Sequence, residues 1–243
     1  MDIKGKTALV TGAAGGIGRE FVRELLERGA SKVIAAGMNA VKAGNWPAGV
    51  TPLDLDISNE AATIAAARAA GDVALLINNA GVNLRSQLIG APSLDAARRE
   101  MDVNYFGTLA MCRAFAPVLA KNGGGAIVNV MSITAKVTLP NLGTYCASKA
   151  ALLRATEGIR AELAEQGTHV LGVMPWAVDT PMSGPFQGVK TSPAEVAAGT
   201  LDALARGEED VYFHEFSETI NRRLREDPKG LEHDMGNTFK KAK

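Results

Sequence analysis

The sequence is poor in cysteine and carries no excess of charge of either sign. Its two cysteines, Cys112 and Cys146, belong to no C-x-x-C motif and have no histidine at ligand spacing, so neither a metal site nor a disulfide framework is expected. The 26 basic and 26 acidic residues cancel, which argues against nucleic acid or an anionic membrane surface as a partner. A small neutral or polar molecule fits this balance better.

Long apolar runs are also absent. No run approaches the roughly 20 residues that a membrane-spanning helix needs, and Met1–Lys6 leads into a strand-like stretch without a separate apolar leader. We therefore expect a soluble, cytoplasmic protein. With 243 residues, 47% of them hydrophobic, the chain is long enough for one large domain over 1–243, and no stretch resembles a linker.

Short apolar runs rich in Val, Ile and Leu alternate with amphipathic stretches, which is typical of an α/β fold with a parallel sheet between helices. The charged segment 227–243 is poor in core residues, so we expect a surface or partly disordered tail there. The predicted strands are Thr7–Thr11, Lys32–Ala36, Val50–Asp54, Val73–Asn78, Ala126–Met131, His169–Met174 and Asp210–Phe213. The predicted helices are Ile17–Arg28, Glu60–Ala70, Leu94–Ala120, Thr144–Gln166 and Pro193–Arg206.

A glycine-rich turn connects the first predicted strand to the first helix, reading Gly-Ala-Ala-Gly-Gly-Ile-Gly from Gly12 to Gly18. Glycines let the backbone approach a pyrophosphate closely, and the free N–H groups and dipole of a helix N-terminus favour negative charge. Because a strand precedes the turn and a helix follows it, the turn predicts a nucleotide site, with an ordinary loop as the alternative.

The second and third strands end in residues that bear on which nucleotide binds. An acidic residue after the second strand would bind ribose hydroxyls, whereas an arginine would bind a 2′-phosphate. Gly37 and Met38 offer neither, while Lys42 is either a phosphate ligand or a solvated lysine. Asp54 and Asp56 end the third strand, where a carboxylate either accepts from an adenine amino group or serves the turn.

Polar residues follow the fourth and fifth strands, at the sheet edge where ligands of open α/β sheets bind. Asn78-Asn79-Ala80-Gly81 follows one strand and Ser132 the next. The two amides either tie neighbouring loops together or border a ligand. Asn104 lies within the long predicted helix, where a satisfied contact between helices is the alternative to a functional role.

Tyr145 and Lys149 lie four positions apart in a predicted helix and therefore share one face. A fixed cation beside a phenol favours the phenolate, so we expect Lys149 to lower the pKa of Tyr145 from about 10 towards neutrality. The pair predicts a general acid and base, although the same spacing occurs by chance in many helices.

The glycine turn, the Asn-Asn-Ala-Gly motif, the serine thirteen residues before the tyrosine and the Tyr-x-x-x-Lys pair together resemble the short-chain dehydrogenase/reductase family, in its single-domain branch of about 250 residues. The resemblance extends over roughly residues 5–213. It implies a doubly wound, seven-stranded parallel sheet of the Rossmann type in three layers. It also implies reversible hydride transfer between the nicotinamide of NAD(P) and a carbonyl or secondary alcohol.

The resemblance assigns roles to particular residues. Tyr145 would exchange a proton with the substrate oxygen, Ser132 would hydrogen-bond that oxygen, Lys149 would hold the nicotinamide ribose, and Asn104 would hold a water for proton relay. The implied cofactor-binding residues are Gly12, Gly15, Gly16, Ile17, Gly18, Gly37, Met38, Asp56, Asn78, Ala80, Gly81, Tyr145, Lys149, Pro175, Val178 and Thr180. The substrate-binding residues are Ser132, Ile133, Tyr145, Trp176, Met182 and Phe186.

Two departures from the family pattern bear on specificity. Trp176 stands where the family usually has glycine after the proline, so its indole either narrows the substrate pocket or packs outward against a helix. Gly15 and Met38 stand where NADP-dependent members often carry basic residues, and their lack of charge favours NAD. The apolar residues near Trp176 indicate a hydrophobic, cyclic or open-chain substrate, with ordinary core packing as the alternative.

An alcohol dehydrogenase or ketoreductase acting on CH–OH groups is the favoured function. The alternative from another class is a catalytically silent dinucleotide-sensing or scaffold protein on the same fold, which would be expected to lack Tyr145, Lys149 or Ser132. All three are present. The resemblance also implies a homo-oligomer, either a tetramer or a dimer.

Overall fold

Seven parallel strands form one sheet in the computed structural model, which describes residues 1–184 and 186–241. The spatial order is β3-β2-β1-β4-β5-β6-β7. The first half of the sheet is built outward from one side of β1 and the second half from the other side, which leaves a crevice beside the carboxyl ends of β1 and β4. The predicted doubly wound sheet is confirmed. The strands are β1 (Thr7–Thr11), β2 (Lys32–Gly37), β3 (Val50–Asp54), β4 (Val73–Asn78), β5 (Ala126–Val130), β6 (His169–Pro175) and β7 (Asp210–Phe213).

Helices cover both faces of the sheet. Neighbouring strand residues point to opposite faces, so Val10 packs with Phe21 on one face while Leu9 packs with Phe115 on the other. No helix in residues 1–184 or 186–241 is long and apolar enough to cross a bilayer. The helices are α1 (Gly16–Glu27), α2 (Glu60–Ala69), α3 (Asp95–Glu100), α4 (Thr108–Lys121), α5 (Gly143–Glu162), α6 (Pro193–Arg206), α7 (Glu215–Glu226) and α8 (Pro228–Lys241).

The stretch predicted as one helix from Leu94 to Ala120 is not a continuous α-helix. A π-helical segment, Met101–Gly107, separates α3 from α4. Such a segment holds an extra residue per turn and is common at functional sites. Asn104 lies at its centre, fully buried, and its side-chain amide exchanges two hydrogen bonds with the backbone of Val82.

The C-terminal segment forms two helices that the sequence analysis did not predict. Helix α8, Pro228–Lys241, lies where a surface or partly disordered tail was expected from residue 227, and residues 242–243 lie outside the described part of the chain. Leu231 and Met235 are buried in a cluster with Ile220 of α7. Apolar residues at this spacing form one buried stripe, and the charged residues between them face away from it.

Candidate active site

A cavity of about 660 Å³ opens at the carboxyl ends of the central strands. Its walls come from the glycine turn, the loops after β4 and β5, the start of α5 and the segment after β6. Many of the predicted site residues meet there. They are Gly12, Gly15, Gly16, Ile17, Ala80, Gly81, Ser132, Tyr145, Lys149, Pro175, Trp176, Val178, Thr180, Met182 and Phe186.

The glycine turn leaves space that side chains would fill. Gly12 has φ of +64°, and a Cβ there would lie 2.9 Å from the Cα of Ala80. A Cβ on Gly18 would collide with the carbonyl oxygen of Gly12. In the described part of the chain no side chain caps the N-terminus of α1, and Gly15, Gly16 and Ile17 at this end of the helix line the cavity. This cradle fits the pyrophosphate of a dinucleotide.

The two asparagines at the carboxyl end of β4, Asn78 and Asn79, hold neighbouring strands together. The side-chain amide nitrogen of Asn79 donates to the Thr11 carbonyl oxygen at 3.0 Å. The Thr11 hydroxyl accepts from the backbone N–H groups of Asn79 and Ala80. Asn78 points away from the cavity and donates to Asn129 and Cys112. The Asn78 side chain therefore joins β4, β5 and α4 and does not face the cavity.

Ser132, Tyr145 and Lys149 are buried side by side in the cavity wall. The Ser132 hydroxyl donates to the Pro175 carbonyl oxygen at 3.5 Å and accepts from the backbone N–H of Thr134 at 3.2 Å. The Lys149 Nζ lies 5.8 Å from the centre of the Tyr145 ring and donates to the Val130 carbonyl oxygen at 3.1 Å. These positions place one hydroxyl, one phenol and one ammonium around the same space.

Burial controls the pKa values of this pair. Loss of solvent raises the pKa of Tyr145, with smaller upward contributions from Cys146 and Glu100, and the Ser132 hydroxyl opposes the rise. Burial also lowers the pKa of Lys149 to about 8. The expected lowering of the Tyr145 pKa is therefore wrong for the polypeptide by itself, because desolvation of the phenolate outweighs the nearby cation.

A hydrogen-bonded chain runs behind Tyr145 and Lys149. The Asn104 side chain donates to the Ser148 hydroxyl at 2.9 Å, and that hydroxyl donates to the Tyr145 carbonyl oxygen at 2.7 Å. Gly81 lies between Asn104 and Lys149: a Cβ there would be 3.1 Å from Asn104 Oδ1 and 3.4 Å from Lys149 Nζ. The missing side chain thus leaves an open space between these two polar groups.

Several predicted site residues lie outside the cavity wall. Ile133 is fully buried in the cluster beneath α7 and α8 and does not line the cavity. Met38 is 62% exposed, and Asp56 accepts from the backbone and hydroxyl of Ser58, which lowers its pKa. The predicted site residues that do not line the cavity are Gly18, Gly37, Met38, Asp56, Asn78, Asn104 and Ile133.

Trp176 combines both of the expected orientations. It lines the cavity, and its ring also packs edge-on against Phe186 with centroids 5.7 Å apart. On another side it tilts against Phe216 of α7 at 4.4 Å. The indole therefore forms part of the pocket wall and at the same time fixes α7 in place.

Helices α7 and α8 supply a part of the cavity wall that none of the sequence motifs predicts. Phe216, Met235 and Thr238 line the cavity. A signal was available, since Phe216, Ile220 and Leu224 recur at intervals of four and predict an amphipathic helix. Arg85 and Asn83, in the loop after β4, also line the cavity, and no motif marks them.

Comparisons with known proteins agree with this geometry. The family described as short chain dehydrogenase matches residues 6–188. A dehydrogenase/reductase SDR family member 7B of Danio rerio is 30% identical over 86% of this chain and 77% of its own. A short chain dehydrogenase from Burkholderia cenocepacia in complex with NADP is 43% identical, with a TM-score of 0.93 over 97% of this chain and 99% of its own. One from Burkholderia phymatum in complex with NAD is 26% identical, with a TM-score of 0.85 over 94% and 96%.

Proposed function

The chain belongs to the short-chain dehydrogenase/reductase family of oxidoreductases, and we propose that it interconverts a secondary alcohol and a ketone by hydride transfer with NAD(P). One observation carries this proposal: Ser132, Tyr145 and Lys149 line the same cavity as the glycine turn. An acid/base group and a dinucleotide cradle are what this reaction requires in one place.

Tyr145 acts as the acid and base in the proposed reaction. In reduction its phenol donates a proton to the substrate oxygen, and in oxidation its phenolate takes that proton back. Ser132, which lines the same cavity as Tyr145, donates to the substrate oxygen as negative charge develops. Bound NAD(P) supplies or accepts the hydride, and its oxidised ring adds a positive charge that favours the phenolate.

Lys149 and the residues behind it complete the proton path in this proposal. At neutral pH a pKa of about 8 keeps Lys149 mostly protonated, so its charge stabilises the phenolate that forms in oxidation. Lys149 also donates to the ribose of the cofactor. The space beside Gly81, between Asn104 Oδ1 and Lys149 Nζ, suits a water that relays protons outward.

We infer a preference for NAD over NADP. Gly15 and Met38 carry no charge, so a 2′-phosphate at these positions would gain no cationic partner. The two solved relatives hold one cofactor each, and their likeness supports NAD(P) without choosing between them.

Arg19 is the residue that could reverse this preference. Its Nε donates to the Ala14 carbonyl oxygen at 3.0 Å, and its guanidinium lies 5.1 Å from the centre of the Trp46 ring. A Michaelis constant for NADPH far below that for NADH, lost in Arg19→Gln, would contradict the inference and assign phosphate recognition to Arg19.

We propose a hydrophobic substrate, because apolar and aromatic side chains such as Trp176, Phe186 and Phe216 form much of the pocket wall. Family resemblance further suggests a cytoplasmic homo-oligomer, a tetramer or a dimer. The exposed Phe106 next to α4 supports burial of that region against another copy. Light scattering on the purified protein gives the number of chains.

The experiment that tests the proposed function is one matrix of initial rates. NADH and NADPH are each combined with aliphatic, cyclic, aromatic and steroid ketones, and NAD and NADP with the matching alcohols. We expect turnover of at least one hydrophobic ketone. Cofactor binding without turnover of any pair would favour the silent dinucleotide-sensing or scaffold alternative.

A further inference from the structure

Arg85 places a positive charge at the cavity wall in the loop that follows β4. Among the described residues that line the cavity, none is Asp or Glu, and the cations are Lys149 and Arg85. Lys149 is buried and has a place in the proposed chemistry. The Arg85 side chain is exposed at the edge of this largely apolar cavity. Its charge has no role in the transfer of a proton or a hydride, so its presence there needs a separate explanation.

The loop that carries Arg85 is held by three side chains. Asn104 bonds the backbone of Val82 in both directions. The buried Glu100 accepts from the N–H of Leu84 at 2.7 Å. The Asn83 side chain accepts from the N–H of Arg85 at 3.0 Å. These bonds fix the backbone on which Arg85 stands.

Arg85 itself has an unusual backbone conformation. Its φ of +54° lies in the left-handed region, which residues other than Gly, Asn and Asp seldom adopt. Such conformations persist where surrounding contacts enforce them, and they are common at functional sites. Here the anchored loop enforces the conformation, and it aims the side chain across the cleft.

The guanidinium of Arg85 reaches the opposite wall. One terminal nitrogen donates to the Met182 carbonyl oxygen at 2.9 Å. An arginine side chain has five N–H donors. Within residues 1–184 and 186–241, the Arg85 side chain uses one of them, in this bond to the Met182 carbonyl oxygen. The remaining donors are available to a ligand in the cavity.

The loop also brings Arg85 close to the reacting groups. The Ser86 carbonyl oxygen accepts from the backbone N–H and the hydroxyl of Thr144, both at 3.3 Å. Ser86 follows Arg85 and Thr144 precedes Tyr145 in sequence. Because Ser132, Tyr145 and Arg85 line the same cavity, a molecule with its carbonyl at Ser132 and Tyr145 has Arg85 within the same space.

We propose that Arg85 binds a carboxylate of the substrate, so that the enzyme acts on a hydrophobic hydroxy or oxo acid. This inference rests on the proposed function for the identity of the reacting group. The planar guanidinium matches a carboxylate with paired hydrogen bonds. Binding at Arg85 orients the substrate without taking part in hydride or proton transfer.

The test measures binding directly, so that it does not depend on turnover. Calorimetry compares cyclohexanecarboxylate with its uncharged amide, cyclohexanecarboxamide, on the enzyme saturated with oxidised cofactor. We expect the carboxylate to bind about tenfold more tightly than the amide. The ratio should fall to about one in Arg85→Gln and in Arg85→Asn, the second of which tolerates the left-handed backbone.

Matched controls separate the possible causes. Arg98→Gln removes an exposed arginine that does not line the cavity, and it should leave the ratio unchanged. If Arg85 only fastened the loop to Met182, its loss would weaken the acid and the amide equally. Equal affinity of the wild-type enzyme for both compounds, or no carboxylate binding up to about 10 mM, overturns the proposal. Turnover of a neutral ketone in the same preparation tests the proposed function separately.

Discussion

The Lys149 ammonium lies 5.8 Å from the centre of the Tyr145 ring, and both side chains are buried. Burial disfavours the charged form of each group, so it raises the pKa of the tyrosine and lowers that of the lysine to about 8. The two groups thus lie in an environment that favours neither the phenolate nor the ammonium. The added charge of an oxidised cofactor would shift this balance towards the phenolate.

Replacing Lys149 by Met should stabilise the fold and abolish most of the activity. The ordinary lysine pKa of 10.5 falls to about 8 in the folded chain, so protonated Lys149 destabilises the native state. After allowance for the lost bond to Val130, we expect Lys149→Met to gain about 2 kcal/mol at pH 7. Urea unfolding measures the difference.

The same variant has a defined pH dependence. Lys149 is protonated in both states below pH 8, so the gain is complete there. It declines between pH 8 and 10.5, where the unfolded chain still binds the proton and the folded chain does not. A wild-type protein that is more stable than Lys149→Met at pH 7 would contradict this interpretation of the buried lysine.

Gly81→Ala should impair turnover while preserving the fold. The new methyl group would lie 3.1 Å from Asn104 Oδ1 and 3.4 Å from Lys149 Nζ, so one of these polar groups must shift. We expect kcat to fall about tenfold or more. Gly71→Ala is the control, since nothing lies within 4 Å of its added Cβ. Equal kcat values for the two variants would show that the space beside Gly81 has no function.

Trp176→Gly should change the preference among ketones. The substitution removes a pocket wall and its contacts with Phe186 and Phe216, and we expect it to cost about 2 kcal/mol of stability. Cofactor affinity should change little. Trp176→Phe keeps an aromatic ring as control. Kinetics that do not differ across a panel of ketones would exclude a role for Trp176 in substrate selection.

Gly15→Arg should shift the enzyme towards NADP. An added Cβ at Gly15 meets nothing within 4 Å, so the side chain fits at the edge of the glycine turn. Its charge would pair with a 2′-phosphate, and we expect the Michaelis constant for NADPH to fall about tenfold relative to that for NADH. Gly15→Ala should leave this ratio as it is. The same ratio in both variants would place the adenosine ribose away from Gly15.

The strands were predictable because parallel, fully buried strands are short runs of Val, Ile and Leu between turns. The observed bounds differ from the predicted ones by a residue at β2, β5 and β6. The π-helical segment Met101–Gly107 was not predictable from periodicity, because the apolar positions on either side fit one helix. Its cause is tertiary, since buried Asn104 bonds the backbone of Val82.

Side-chain directions at the site also depended on tertiary contacts. Ile133 follows Ser132 directly, yet its side chain packs into the cluster beneath α7 and α8. These two helices were not predicted, because their segment is rich in charged residues. Asn78 and Asn79 are adjacent in sequence but face opposite ways, as successive residues at a strand end do. Arg85 had no motif to mark it, and its position became visible only with the loop that holds it.

Kinetic comparison of the wild-type enzyme with Tyr145→Phe tests the central claim most directly. The variant removes the phenol hydroxyl alone, and Tyr105→Phe, which removes a phenol beside Phe106, is its matched control. On the best ketone of the panel we predict that Tyr145→Phe lowers kcat by about 10² to 10⁴ and leaves the dissociation constant of the cofactor within about twofold. A Tyr145→Phe enzyme that keeps wild-type kcat would contradict the assignment of Tyr145 as the acid and base.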